Sequence, residues 1–253
     1  MKRNICMLLA VILCLVALFP VTASAKTYTL SDTDMQISID DTYWYVFTRD
    51  NIKDNPELGE IGVSYDTMYS FLYDNMAYVD AILFYEDGDY LEMFVRKNAV
   101  DAGVVNLSNY KKKDVLELAE ELAKLAGAEN YYVHESQYKF VRIEYFDSDI
   151  SYYVCEYVTI VNKDNYTLTF QSATPFTQRD YDEMKRIVDS VVFDIDPTLK
   201  EPETTTFSDR LIGRVIGGAV IGGIGGAVVA IHNKKKKDRE NAEAASVNTP
   251  ELP

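Results

Sequence analysis

Few side chains in this sequence could act as nucleophiles or bind a transition metal. The chain has two histidines and three cysteines, and only His134 and Cys155 lie between the two apolar runs near its ends. Ser136 follows His134 closely, but no nucleophile-elbow or papain-like pattern surrounds them. One histidine and one cysteine also fall short of the three or four ligands that zinc needs. We therefore predict no catalytic residue, no cofactor and no metal site, and interpret Cys155 as a buried apolar side chain.

Carboxylates are abundant and occur in short clusters. Calcium binds such oxygen ligands, but no cluster has the twelve-residue spacing of an EF-hand loop. Each lies where a hairpin turn is expected, and Asp is favoured there because its side chain hydrogen-bonds the backbone two residues on. We interpret them as turn residues, with calcium as the alternative. The clusters are Asp32/Asp34, Asp40/Asp41, Glu86/Asp87/Asp89 and Asp147/Asp149.

The charge of the chain excludes some partners. The formal net charge is −15. Residues 26–209 contain 36 Asp and Glu against 16 Lys and Arg, a formal charge of −20. Phosphate affinity comes from clustered Lys and Arg, so we predict no nucleic-acid binding. An acidic domain attracts cations or basic partners, although acidity that serves only solubility is the alternative.

Tyrosine gives the strongest indication of a binding surface. All 19 tyrosines lie between Tyr28 and Tyr181. In the predicted strand SYYVCEYVTI, alternation places Tyr153 and Tyr157 on one face and Tyr152 on the other. Tyrosine is enriched in interface hot spots. We predict a recognition surface at these three residues, and the alternative is that they fill a half-buried sheet face.

The first 25 residues have the features of a secretory signal peptide. A basic start precedes an apolar run over 5–19, which Pro20 breaks. Ala23 and Ala25 then fit the small-x-small pattern that predicts cleavage after Ala25. The alternative is an uncleaved anchor, since the run is nearly long enough to span a bilayer.

Residues 211–232 form a second apolar stretch. About 21 residues at about 1.5 Å each span roughly 30 Å, the thickness of a hydrocarbon core. By the positive-inside rule, the basic run that follows stays in the cytoplasm. We predict a transmembrane helix in the plasma membrane, with the main domain extracytoplasmic and a disordered cytoplasmic tail over 233–253. The basic run is Lys234, Lys235, Lys236 and Lys237.

Small residues recur every four positions within 211–232. Residues four apart share a helix face, and strips of small residues let membrane helices approach closely. This glycine-zipper pattern predicts self-association into a homo-oligomer or docking to a membrane-protein partner, and a passive anchor is the alternative. The candidate residues are Gly213, Gly217, Gly218, Gly222 and Gly226.

Residues 26–196 have the patterns of strands, hairpins and three helices. AILFYEDGDYLEMFV predicts a hairpin with Asp87-Gly88 at its turn. Apolar spacing predicts helices over about 66–77 and 108–126, and a third that begins at Thr177 with a capping box. We predict an α+β domain, an antiparallel sheet covered by helices, followed by a flexible linker over 197–210.

The first of these helices has an aromatic stripe. Ser64 is its predicted N-cap. The residues at helical spacing are Tyr65, Met68, Tyr69, Leu72 and Met76.

Three features carry a resemblance to a known fold. The opening segment TYTLSDTDMQISIDDTYWYV contains a hairpin with Trp44 just after its second strand. Long hairpins follow the middle helix, and TPFTQRDYDEMKRIVDSVVF closes the domain. Over 28–194 this order resembles the PsbP-like fold of the extrinsic PsbP proteins of photosystem II and of bacterial secreted proteins of unknown role. The resemblance implies that fold and carries over no catalytic or binding residue. Members of that fold mostly bind other proteins, which implies a non-enzyme by analogy.

These observations predict a single-pass, membrane-anchored binding or scaffold protein of a bacterial cell surface. It would self-associate or dock through the glycine-rich helix. A surface sensor of a small ligand or cation is the first alternative, although the cytoplasmic tail contains no recognisable output module. An envelope hydrolase is the second alternative, and the poor supply of His and Cys disfavours it.

Overall fold

A computed structural model describes residues 25–99 and 104–201. Most of the predicted signal peptide and all of the predicted membrane segment lie outside these ranges. The cleavage residue Ala23, the glycine strip 213–226, the lysines 234–237 and most of the linker also lie outside them, so what the sequence indicates for these segments remains a prediction. Within the described ranges, no helix is both long and apolar enough to cross a membrane.

The described residues form ten strands and four α-helices. The strands are β1 (Lys26–Thr29), β2 (Met35–Ile39), β3 (Trp44–Thr48), β4 (Ala77–Phe84), β5 (Tyr90–Ala99), β6 (Asn130–Glu135), β7 (Lys139–Asp147), β8 (Tyr152–Val161), β9 (Asp164–Ser172) and β10 (Val192–Phe193). The helices are α1 (Glu57–Ile61), α2 (Tyr65–Asp74), α3 (Lys112–Ala126) and α4 (Gln178–Asp189). Seven strands make an antiparallel sheet in the order β3-β4-β5-β9-β8-β7-β6, and β1-β2-β10 make a second.

The prediction of an α+β fold, one antiparallel sheet covered by helices, was wrong for the described residues, whereas the predicted membrane helix lies outside them and is not tested. The described chain is mostly antiparallel β structure in sheets of seven and three strands, with few helices. The opening hairpin pairs with β10, not with the large sheet. Alternation along β2 reveals its apolar face, but this local pattern does not determine which strand lies beside it.

One face of the large sheet packs against the small sheet and α4. Met35 and Ile37 of β2 lie in the same apolar cluster as Leu168 and Phe170 of β9 and Met184 of α4. Helix α4 begins as predicted, because the capping box of Thr177 and Asp180 is present. This face is the main hydrophobic core.

The opposite face is covered at its two ends. Helix α3 packs over β6 and β7 through residues such as Leu118 and Leu122. Helices α1 and α2 pack over β3, β4 and β5, where Leu72, Phe47 and Phe94 belong to one apolar cluster. The middle of this face carries buried polar side chains, which are described below.

Candidate binding surface

Helix α2 is fixed at its start and along its inner side. The hydroxyl of Ser64 accepts a hydrogen bond from the backbone N–H of Thr67 at 3.1 Å, which confirms the predicted N-cap. Met68, Phe71 and Leu72 are buried against the sheet. These contacts hold the helix in one orientation.

The outer side of α2 carries a row of tyrosines. Tyr65, Tyr69 and Tyr73 are 43%, 42% and 42% exposed. Their spacing of four residues places them on one helix face. Of the residues at helical spacing in the sequence, Met68 and Leu72 are buried together with Phe71, whereas the two tyrosines and Met76 are exposed.

The tyrosine rings contact one another. The ring centroids of Tyr65 and Tyr69 are 5.7 Å apart, and those of Tyr69 and Tyr73 are 4.2 Å apart in a stacked arrangement. The guanidinium of Arg49 continues the row, at 4.6 Å from the ring centroid of Tyr73 and 4.0 Å from that of Tyr78. We call these five residues the tyrosine ladder.

Arg49 anchors the ladder to the backbone. Its Nε donates to the carbonyl of Ala77 at 2.8 Å, and its Nη2 donates to the carbonyl of Leu72 at 3.1 Å. The second bond satisfies a carbonyl near the end of α2, where helix carbonyls lack partners within the helix. The guanidinium is therefore held by two backbone carbonyls while it contacts the rings of Tyr73 and Tyr78.

The chain around the ladder is acidic. Residues 49–76 contain six Asp and Glu against one Arg and one Lys. Asp66 and Asp74 lie on α2 itself and are exposed. A partner that meets this surface therefore meets aromatic rings bordered by negative charge.

The tyrosines singled out by the sequence lie elsewhere. Tyr157 is 1% exposed, and Tyr152 is buried with its hydroxyl accepting from that of Tyr90 at 2.6 Å. Tyr153 is half-buried beside Phe146, with ring centroids 5.0 Å apart. The structure does not bring these three residues together on one surface. The signal that could have found the ladder is the Tyr repeat at positions 65, 69 and 73.

The candidate nucleophiles are also placed apart. Cys155 is fully buried, and burial raises the pKa of its thiol to about 12. The Nε of Arg142 donates to its sulfur at 3.2 Å. His134 pairs through Nε2 with Asp189 at 2.7 Å, not with Ser136 or Cys155. These contacts hold strands and helix α4 together.

In three of the four carboxylate clusters an Asp accepts a hydrogen bond from the backbone N–H two residues on, as predicted, whereas in the fourth Asp34 accepts from the side-chain amide of Asn162 at 2.8 Å. Asp87 accepts from the N–H of Asp89 at 3.1 Å, and Asp147 accepts from that of Asp149 at 2.9 Å. Across residues 25–99 and 104–201, no group of three or more His, Cys, Asp or Glu side chains is arranged to hold a metal ion.

A buried polar strip crosses the middle of the large sheet. The amide of Gln171 donates to Glu92 at 2.6 Å, and neither oxygen of Asp80 accepts a geometrically sound bond from any described donor. Burial raises the pKa of Asp80 to about 7, and burial together with Asp80 raises that of Glu92 well above its ordinary value. Burial therefore makes both carboxyls bind protons more tightly than exposed carboxyls do.

The strip continues with an ion pair. Arg96 donates to Glu156 at 3.1 Å, and both side chains are almost fully buried. Thr169 also donates to Glu156, at 3.3 Å. Burial raises the pKa of Glu156 to about 7, while Arg96 opposes that rise. Local sequence patterns do not reveal this strip, because its members come from four strands, β4, β5, β8 and β9, which form two hairpins that are distant in the chain.

Comparison with known proteins adds no family to these observations. No protein-family model matches the chain, and no curated protein matches it.

Proposed function

We propose that this protein is a binding protein that holds a basic protein partner against the tyrosine ladder. The single observation that carries the proposal is the exposed row of Tyr65, Tyr69 and Tyr73, whose rings contact one another in sequence and which Arg49 bounds at one end. Tyrosine supplies a large contact area with only two side-chain torsions to fix. Stacking has already restricted those torsions, which lowers the entropy cost of association.

The charge of the surface favours a basic partner. Six acidic residues lie within 49–76, and the one arginine among them is occupied by its two rings and two carbonyls. Complementary charge speeds encounter and suppresses wrong partners. A second copy of this chain would set acidic residues against acidic residues, so the ladder is better suited to binding a different protein.

The cellular setting of the proposal comes from the sequence. We propose that the domain lies outside the plasma membrane, anchored through residues 211–232, and that the glycine strip associates with another membrane helix. The anchor would keep the ladder close to the membrane surface, where a membrane-bound partner is within reach.

Site-specific photo-crosslinking tests the proposal. A photoreactive phenylalanine analogue replaces Tyr69 in the full-length protein in its own cells, and a matched variant carries it at Leu116, which is exposed on α3. We expect one foreign protein to be crosslinked from position 69 and not from position 116. Its capture should fall when Tyr65 and Tyr73 are changed to Ser and when the salt concentration rises.

Two results would contradict the proposal. One is the same set of crosslinked proteins from both positions, which indicates proximity without recognition. The other is a captured protein whose contact surface is acidic, or whose capture is unaffected by salt and by the Tyr65→Ser and Tyr73→Ser changes. The double variant Leu116→Ser/Leu125→Ser, which alters exposed apolar side chains on α3, is the control for general loss of surface hydrophobicity.

A further inference from the structure

A cleft of about 570 Å³ lies where the start of β3, the end of β4 and the first turns of α4 meet. Its size is within the range of pockets that hold small ligands or single side chains. Aromatic and acidic side chains line it. Those that matter here are Tyr43, Trp44, Tyr85, Glu86, Arg179 and Glu183.

Two aromatic residues line the β3 end of the cleft. Tyr43 is 64% exposed, although it borders a concave site, so one ring is available to a ligand. Trp44 is buried in the main hydrophobic core and contributes to the wall of the cleft.

The chain's own Arg179 shows which chemistry suits the cleft. Its guanidinium carbon lies 3.3 Å from the ring centroid of Tyr85, and its Nη2 is 3.5 Å from Asp87. The Tyr85 hydroxyl donates to Asp180 at 2.6 Å, which fixes the ring. An aromatic face beside a carboxylate is thus already used to hold one organic cation.

Negative charge remains after the internal pairs are made. Arg179 pairs with Asp87, and Arg186 pairs with Glu183 at 2.5 Å. Glu86 is exposed and makes no ion pair within the described part of the chain. The exposed ring of Tyr43 and the carboxylate of Glu86 are therefore left for a ligand.

We propose that this cleft binds an arginine side chain of a peptide. The guanidinium lies against the exposed ring of Tyr43 and pairs with the carboxylate of Glu86. This inference does not rest on the tyrosine ladder, which lies on α2 and near the other end of β4.

Trp44 is the only tryptophan in the chain, so its fluorescence reports on the cleft directly. The full-length protein is titrated with Nα-acetyl-L-arginine amide, and separately with the citrulline analogue, which has the same shape without the charge. We expect a saturable fluorescence change with the arginine probe and at least fivefold weaker binding of the citrulline probe. A fivefold difference corresponds to about 1 kcal/mol, the size of a partly exposed cation–π contact with its ion pair.

Variants locate the binding. Glu86→Gln should weaken the arginine probe about threefold, whereas Glu117→Gln on α3 removes the same charge from another part of the surface and should have no effect. Both residues are exposed, so both variants keep the fold. The Tyr65→Ser/Tyr73→Ser variant should bind the probe as the unmodified protein does, which separates this site from the ladder.

Several results would overturn the proposal. One is the absence of a saturable change up to the solubility limit of the probe, and another is equal binding of arginine and citrulline probes. If Glu86→Gln and Glu117→Gln weaken binding of the arginine probe equally, the probe responds only to the net charge of the protein and not to this cleft. Binding that appears solely in Arg179→Met would show that the chain's own guanidinium fills the cleft.

Discussion

Strand β9 faces two different environments across the thickness of one sheet. Leu168 and Phe170 point into the apolar cluster formed with the small sheet and α4. Gln171 and Thr169, their neighbours in the chain, point to the opposite face and bind the buried carboxyls of Glu92 and Glu156. The first face gains stability from apolar burial at any pH. The second face holds groups whose charge depends on pH, so it makes the stability of the domain responsive to protons.

The largest effect is expected on the apolar face. Phe170→Ala removes a fully buried ring from the centre of the main core. We expect a loss of about 3–5 kcal/mol in the free energy of unfolding, because a cavity is added to the lost transfer free energy. Urea denaturation of the full-length protein measures it. Leu125→Ala, at an exposed position of α3, is the control and should change stability by less than about 0.5 kcal/mol.

A small loss of unfolding free energy in Phe170→Ala would contradict the view that the apolar face supplies most of the stability. It would mean that the sheet can collapse around the missing ring, and that the contact with the small sheet and α4 is loose. The slope of the denaturation curve distinguishes this case, since it reports the surface exposed on unfolding.

The second effect concerns the polar face. Here, removing the buried carboxyl groups is expected to raise stability at neutral pH, whereas Phe170→Ala lowers it. Asp80 has a folded-state pKa of about 7 against an ordinary value of 3.8. At a pH between these two values, Asp80 therefore keeps its proton in the folded state and has lost it in the unfolded state. Its contribution to stability is present below about pH 4 and disappears as the pH rises to about 7. Glu156, with a folded pKa of about 7, acts in the same direction.

We therefore expect the melting temperature to fall between about pH 5 and about pH 8. Asp80→Asn with Glu92→Gln should flatten this slope and stabilise the protein at pH 8, because neutral amides need no proton to avoid a buried charge. Thermal melts at both pH values measure the effect, with Glu117→Gln as an exposed control. A double variant with the same slope as the unmodified protein would show that these carboxyls are not the proton-binding groups.

A smaller loss is expected from Tyr152→Phe on the same face. The change removes one hydroxyl from the buried pair of Tyr90 and Tyr152, whose oxygens are 2.6 Å apart. We expect a cost of about 1 kcal/mol, the usual net value of one buried hydrogen bond. Tyr153→Phe, at a half-buried neighbour, provides the control in the same denaturation assay. Equal effects of the two changes would show that the hydroxyl pair contributes nothing of its own.

Local features of this fold could be predicted from the sequence, whereas contacts between distant segments could not. The capping box at Thr177, the Ser64 N-cap and the turn at Asp87-Gly88 depend on a few adjacent residues, and all are present. The separate small sheet and the meeting of Asp80 with Glu92 and Gln171 depend on strand pairing, which alternation alone leaves open. The ladder was missed for a related reason. Tyrosine suits both a core and a surface, and only the packing of Phe71 decides which side of α2 is buried.

The smallest effect on stability is expected at the ladder, which lies on the outer side of the helix that covers one end of the polar face. Tyr69→Ser removes a ring that is 42% exposed and contacts Tyr65 and Tyr73. We expect a change of about 0.5 kcal/mol or less in the free energy of unfolding, because stacking at a solvent-exposed site adds little and no cavity forms in the core. Urea denaturation measures it beside Leu116→Ser on α3. A loss above about 2 kcal/mol would mean that the ring supports α2, and that its exposure serves the fold. A small loss combined with loss of crosslinking would separate the residues that hold this domain together from those that bind its partner.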